Sequence, residues 1–139
     1  MTALRRCLLL PLLLAAATAH ADAVRCLTGG DGDRIHLAWT LPGAGADGGR
    51  VSYVRYAGKT RWLRMTLLSQ ESSVLAEDRP WQFDTVWAEH VDGKVNGQYA
   101  VTTQGARIYG VHYTPARGGR ATAFHEDISA MTGSGCHWD

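Results

Sequence analysis

The stretch "HVDGKVNGQYAV", residues 90–101, contains two turn signals, Asp92-Gly93 and Asn96-Gly97. Either pair suits a two-residue β-hairpin turn, because these residues accept positive φ angles. Such a turn would place Trp87 and Tyr99 on opposite faces of the hairpin, whereas an odd loop would place them on one face. Because burial of one apolar face normally fixes the register, the sequence favours a bulged loop of three or five residues. A tight turn would instead expose one set of aromatic side chains as a contact surface.

The rest of the chain alternates apolar and polar residues in steps of two, the period of a half-buried β-strand. Glycine-rich turns separate segments that are rich in aromatic and β-branched residues. The pattern predicts an all-β fold, a small antiparallel β-barrel or sandwich with a meander of about eight strands. Residues 69–78 fit either two helical turns or a short strand. The clearest alternating segments are 35–39, 51–53, 63–67, 81–87 and 109–113.

Residues 1–21 have the order of a secretory signal peptide. A basic Arg5-Arg6 pair precedes an apolar core at 8–14 and a small-residue cleavage site at Ala19-His20-Ala21. The apolar stretch is shorter than the ~20 residues that a membrane-spanning helix needs. We therefore predict a single exported domain, residues 22–139, that is periplasmic or secreted and has no membrane anchor after cleavage.

The charge of the chain argues against a nucleic-acid partner. The 14 Lys and Arg residues and 13 Asp and Glu residues give the whole chain a net charge of +1. Loss of the two signal-peptide arginines leaves 12 basic against 13 acidic residues, a net charge of −1. Such a chain has no basic field that would attract nucleic acid.

Two cysteines remain after cleavage, Cys26 and Cys136, placed outside the first and last clear strands. In an oxidising compartment such a pair is expected to form a disulfide, which here would join the two ends of the domain. In the chain-entropy model a loop this long could stabilise the fold by ~4–5 kcal/mol. We predict that the bond is a structural staple.

Motifs for catalysis or metal binding are sparse. The five histidines outside the signal peptide form no H-x-H, H-E-x-x-H or C-x-x-C pattern, so the sequence predicts no metal and no cofactor. His112 and His125 could still approach each other across a hairpin at Gly118-Gly119, near Glu126 and Asp127. A hydrolase or metal enzyme built on a histidine and acid cluster, with His90 included, is therefore a third hypothesis.

The aromatic content favours binding over catalysis. Tryptophan, tyrosine and arginine are the residues enriched at binding hot spots. We predict that the domain binds another exported or envelope protein, for example as an inhibitor or immunity factor. In outline the layout is similar to that of exported β-barrel inhibitors that protect bacterial envelopes from lysozyme-type or toxin attack, although no family motif matches residue by residue. The candidate binding residues are Trp62, Arg64, Trp87, His90, Tyr109, His112, Tyr113 and His125.

A second hypothesis is a lipocalin-like carrier of a small apolar ligand. Small β-barrels are either filled by their own side chains or hold one ligand. The carrier hypothesis requires an open cavity lined by residues such as Trp39, Phe83 and Trp87. A filled interior would argue against it.

Overall fold

Eight strands form a closed antiparallel barrel in a computed structural model that describes residues 23–42 and 47–139. Each strand pairs with its neighbour in the chain, and the last pairs with the first. The predicted all-β meander is therefore confirmed, and it closes into a barrel. The predicted signal peptide, residues 1–21, lies outside the described residues. The strands are β1 (Val24–Gly29), β2 (Ile35–Thr40), β3 (Val51–Tyr56), β4 (Leu63–Ser73), β5 (Gln82–Val91), β6 (Lys94–Gln104), β7 (Arg107–Pro115) and β8 (Thr122–Glu126).

The β5–β6 hairpin uses both of its turn signals, but not as a single odd loop. Asp92 and Gly93, with φ angles of 51° and 77°, form a two-residue turn. Asn96 is then an extra residue in β6, since Glu89 pairs with Gly97 while His90 pairs with Val95. This bulge reverses which residues of β6 face inward, so Trp87 and Tyr99 lie on the same face. The prediction of a common face is therefore correct, and the predicted loop length is wrong.

Residues 69–78 begin as a strand and not as a helix. β4 continues to Ser73 and pairs with β5 as far as Gln82, and an irregularity at Leu68 interrupts the register. The side chains of β4 from Leu68 to Ser73 are exposed, whereas those at the start of β5 are mostly half-buried. The β4–β5 hairpin is therefore longer than the alternating pattern indicated.

Three aromatic residues in the apolar phase of the alternating segments 51–53, 81–87 and 109–113 are exposed. Tyr53 is 41% exposed because β3 turns Val54 inward, opposite Trp39. Trp81 precedes β5 and is 55% exposed. Tyr109 is the extra residue of a bulge between β6 and β7 and is 65% exposed. Strand pairing therefore decides the exposure of Tyr53 and Tyr109, and the strand boundary decides that of Trp81.

After β8 the chain turns back across the outer face of β1. A short 3-10 helix (Ile128–Ala130) and a two-stranded ribbon, β9 (Met131–Thr132) and β10 (Gly135–Cys136), make up this C-terminal segment. The Asp127 N–H donates to the Cys26 carbonyl at 2.8 Å, and the Thr28 hydroxyl donates to the Asp127 carboxylate at 3.0 Å. Side chains on the outer face of β1 are buried under this segment.

The predicted Cys26–Cys136 disulfide is confirmed, with a Cα–Cα distance of 5.6 Å. Cys26 lies within β1, a strand that precedes the first clear alternating segment of the sequence. The bond therefore attaches the C-terminal segment to the outside of the barrel wall. A disulfide is consistent with an oxidising compartment.

The inward-facing side chains form one apolar cluster along the barrel. Its packing follows from strand alternation, because residues paired across neighbouring strands share a face. The cluster consists of Leu27, Leu37, Trp39, Val54, Met65, Trp87, Tyr99, Val101, Ile108, Val111 and Phe124. These side chains fill the middle of the barrel, contrary to the open interior that the carrier hypothesis required, and a cleft lies at one end.

Candidate functional site

The two ends of the barrel interior differ in chemistry. One end, called the mouth here, is where β2, β4 and β6 finish and β3, β5 and β7 begin. Apolar and aromatic side chains line a cleft of about 340 Å³ at the mouth. At the opposite end a buried carboxylate is surrounded by hydroxyl groups.

The mouth cleft contains the three aromatic residues that the carrier hypothesis named. Trp39 and Trp87 lie deep in the barrel, 2% and 3% exposed, with ring centroids 6.2 Å apart in an edge-to-face arrangement. The Trp87 indole N–H donates to Thr85 Oγ1 at 2.9 Å, which fixes the ring without a ligand. The cleft is lined by Arg25, Trp39, Leu41, Pro42, Gly49, Gln70, Phe83, Thr85, Trp87, Val101, Thr103, Gly105, Ala106, Arg107 and Ile108.

Two arginines of the cleft share one carboxylate. Arg25 Nη1 lies 3.4 Å from Glu126 Oε1, and Arg107 Nε lies 3.2 Å from Glu126 Oε2. The Glu126 side chain is only 2% exposed, whereas those of Arg25 and Arg107 are 21% and 58% exposed. The three side chains therefore carry one net positive charge beside an apolar wall.

Glu89 lies fully buried at the opposite end of the interior. Its Oε2 accepts from the Tyr99 hydroxyl at 2.8 Å, and its Oε1 accepts from Asn96 Nδ2 at 2.7 Å and from the Tyr113 hydroxyl at 3.2 Å. The Tyr56 hydroxyl lies 2.7 Å from that of Tyr99. These donors compensate for the removal of the carboxylate from water.

The pKa values of the tyrosines in this network are raised above the ordinary value of a phenol. Burial, which disfavours the charged phenolate, is the largest cause, and the nearby Glu89 charge adds to it. The pKa of Tyr56 is raised to about 12, and the pKa values of Tyr99 and Tyr113 are raised as well. The network therefore favours neutral phenols that donate hydrogen bonds.

The eight candidate binding residues do not form a single site. Trp87 lines the mouth and Tyr113 belongs to the Glu89 network. The other six side chains lie outside the barrel interior. Of these, Tyr109, His112 and His125 lie on β7 and β8, and Trp62, Arg64 and His90 lie near β3–β5.

The outer face of β3–β5 carries an aromatic and basic surface, called the outer patch here. Arg64 pairs with Tyr53 on one side and with His90 on the other. The Arg55 guanidinium lies 4.6 Å from the centre of the Trp62 ring, within cation–π range. The outer patch consists of Tyr53, Arg55, Trp62, Arg64 and His90.

The three histidines of the enzyme hypothesis have separate partners. His90 Nε2 lies 2.9 Å from Thr66 Oγ1, and His125 Nδ1 lies 3.9 Å from Asp33 Oδ1. His112 pairs with Ala123 across β7 and β8 and is exposed. In the described part of the chain, no three His, Cys, Asp or Glu side chains lie close enough to hold a metal ion.

Comparison of the chain with protein-family models, curated proteins and solved structures yields no significant match in any of the three. Across residues 23–42 and 47–139, no helix is both long enough and apolar enough to cross a membrane. Functional inference for this chain therefore depends on its own geometry.

Sequence reasoning missed the polar groups inside the barrel. Arg25 and Glu126 face inward because they share a parity with Leu27 and Phe124 on β1 and β8. Glu89 likewise shares the parity of Trp87. A charged residue in phase with a strand's apolar face was the available signal, and it identifies both polar sites.

Proposed function

We propose that this protein is an exported carrier that binds a small apolar molecule in the mouth of its barrel. The observation that carries the proposal is the position of Trp39, Phe83 and Trp87, which line a cleft of about 340 Å³. Ligand sites commonly have volumes of roughly 300–1,000 Å³, with apolar walls and a few polar groups. The cleft has both properties.

The walls of the cleft are preorganised for binding. The barrel is closed, so its strands are held on both sides by main-chain pairing. The indole N–H of Trp87 already has its partner in Thr85, so the ring needs no rearrangement to present its apolar surface. Preorganisation increases affinity because less conformational entropy is lost on binding.

A neutral fluorescent probe tests the proposal. We expect the disulfide-bonded protein to bind N-phenylnaphthylamine saturably at one site, with quenching of tryptophan emission. Thr103→Trp, which places an indole in the cleft, is expected to abolish binding, whereas Thr114→Trp on the exposed outer face of β7 is not. Non-saturable binding, or equal binding to both variants, would overturn the proposal.

The natural ligand can then be sought by mass spectrometry. Native mass spectrometry of protein purified from its exported fraction should show a small apolar molecule in complex with the chain. The Thr103→Trp variant, purified in parallel, should lack that molecule. Recovery of the same molecule from both proteins would place it outside the mouth.

We also propose, as a second candidate function, that the outer patch binds another exported or envelope protein, as an inhibitor or immunity factor does. The supporting observation is the outward-facing arrangement of Tyr53, Arg64 and His90 on three adjacent strands, in which Tyr53 and Arg64 are exposed and His90 is half-buried. Aromatic and arginine side chains are enriched where protein interfaces concentrate their binding energy.

A paired charge reversal tests this second candidate. Arg64→Glu is expected to prevent recovery of one specific partner from the envelope fraction, whereas Arg79→Glu, outside the outer patch, is not. Loss of the partner with both variants, or with neither, would contradict a role for the outer patch. The Thr103→Trp variant separates this candidate from the carrier, because it leaves the outer face unchanged.

A further inference from the structure

We infer that the molecule bound in the mouth carries an oxyanion head group, recognised by Arg25 and Arg107. The inference rests on the proposed carrier function, because it specifies the chemical class of the ligand in the same cleft. Both arginines line the cleft together with its aromatic residues. A ligand with an apolar body and one negatively charged end matches this pairing of surfaces.

Arg25 faces the interior because of its register. Its Cα is paired with that of Trp39 across β1 and β2, and paired residues share a face. The side chain is only 21% exposed, so its guanidinium lies in a partly desolvated position. Charge interactions are stronger there than at an open surface.

Arg107 approaches the Glu126 carboxylate, which Arg25 also contacts, from the start of β7. It precedes Ile108, which is buried in the barrel wall, and its side chain is 58% exposed. The guanidinium therefore lies at the outer edge of the cleft. A ligand whose apolar part reached Trp87 could keep its head group between Arg107 and Arg25.

Glu126 does not use all the hydrogen-bonding capacity of the two arginines. An arginine side chain has five N–H donors. Among the described residues, the buried Arg25 Nε–H has no acceptor, and Arg25 Nη1 donates to Met131 Sδ at 4.0 Å. Within the same part of the chain, Arg107 donates only through Nε, and Glu126 Oε1 accepts no hydrogen bond. Glu126 also accepts from the Ile108 N–H at 3.4 Å. Two guanidinium groups around one carboxylate therefore retain donors and one positive charge for an incoming oxyanion.

The geometry favours an anion over a cation or a fully neutral ligand. A cationic head group would face the net positive charge of the Arg25, Glu126 and Arg107 group. A neutral head group could accept hydrogen bonds from these cationic donors, but it would lack the attraction between opposite charges that an oxyanion adds. Guanidinium groups suit carboxylate, sulfonate and phosphate groups because their planar donors match pairs of oxygens.

Two probes with the same aromatic skeleton test the inference. Anilinonaphthalene sulfonate carries a sulfonate that N-phenylnaphthylamine lacks. We expect the sulfonate to bind about tenfold more tightly, the gain of one charge-assisted hydrogen bond. This preference should shrink with added salt, because screening weakens the charge interaction and leaves apolar burial in place.

Variants assign the preference to the two arginines. Arg107→Gln and the double variant Arg25→Gln/Arg107→Gln are expected to reduce and then abolish the preference, which is measured in each variant as the ratio of the two probe affinities. Arg61→Gln, which removes an exposed arginine paired with Asp92 at the other end of the barrel, is the matched control. It should retain the full preference.

Glu126→Gln gives an opposite and independent readout. Removal of the competing carboxylate frees both guanidinium groups, so the preference for the sulfonate should increase by about tenfold. This variant keeps the inference testable even if the double arginine variant does not fold. A preference that is unchanged in Glu126→Gln and in Arg107→Gln would overturn the inference.

The two proposals fail in distinguishable ways. If neither probe binds saturably, the carrier function itself is wrong. If both bind with equal affinity and Thr103→Trp blocks both, the mouth is a ligand site but the ligand need not be an anion, and this inference is wrong. Competition by long-chain carboxylates, aromatic carboxylates and their uncharged esters then identifies the head group and the body that fit.

Discussion

Trp87 lies directly opposite Tyr99 across β5 and β6, and both side chains point into the barrel. This pairing depends on the single extra residue Asn96, which shifts the register between Glu89 and His90. The side-chain amide of Asn96 also donates to the buried Glu89 carboxylate at 2.7 Å. One bulged residue therefore fixes the inward face of β6 and completes the polar network at its end.

Gly97, the next residue, is expected to be intolerant of a side chain. A Cβ at this position would overlap the phenol ring of Tyr113, which must pass there to reach Glu89. Gly97→Ala should lower the free energy of unfolding in urea by about 1–3 kcal/mol, as overpacking of a filled core does.

Gly110 provides the matched control for this substitution. A Cβ at Gly110 meets no atom within 4 Å, so Gly110→Ala should leave the free energy of unfolding unchanged or slightly raised. An equal loss of stability in the two variants would show that strand glycine in general, and not the Tyr113 ring, is responsible.

Glu89→Gln is expected to destabilise the barrel by about 2 kcal/mol, because it replaces charge-assisted hydrogen bonds with neutral ones. The amide group that Gln introduces would also face the Asn96 amide or the Tyr99 hydroxyl, both of which donate in the native network. Urea unfolding of the variant and the wild type measures the loss.

The control for this charge removal is Glu71→Gln on the exposed part of β4. Exposed substitutions away from specific contacts usually change stability by less than about 0.5 kcal/mol. A similar effect at both sites would mean that the net charge of the chain, and not the buried network, explains the result for Glu89.

The strand content, the meander and the disulfide were predictable because they depend on local patterns. The alternation around Leu37 and Trp39 marks one buried face, and the predicted export signal makes pairing of Cys26 with Cys136 chemically natural. These signals are contained in a few neighbouring residues or in the number of cysteines. They do not depend on which strands lie side by side.

The sequence marks the inward charges by their phase with apolar neighbours, but it does not show which side chains meet them, because that depends on register across strands. Whether Glu89 faces inward together with Tyr99 depends on a bulge at Asn96, which adds one residue to one strand only. The inward face of β3 was not predictable for a related reason: Trp39 pairs with Val54 and not with Tyr53, and this pairing decides which of the two side chains faces inward. Cross-strand pairing is tertiary information.

Replacement of Cys26 and Cys136 by serine is expected to lower the melting temperature clearly. The bond joins positions 110 residues apart, and in the chain-entropy model such a crosslink contributes ~4–5 kcal/mol. It lies on the outer face of β1, away from the cleft, so probe binding should persist wherever the variant remains folded. Unchanged stability with lost binding would show that the thiols carry function and are not a staple.

Alkaline pH is expected to destabilise the protein through its buried tyrosines. The pKa of Tyr56 rises from 10.0 to about 12 on folding, and that of Tyr99 rises as well. The folded state therefore keeps protons that the unfolded chain releases, so the free energy of unfolding should fall as pH rises from about 10 to about 12. Urea unfolding at a series of pH values measures this slope. Tyr56→Phe should make the slope shallower, whereas Tyr109→Phe on the outer surface should not, and identical slopes in all three proteins would contradict the assignment to the Glu89 network.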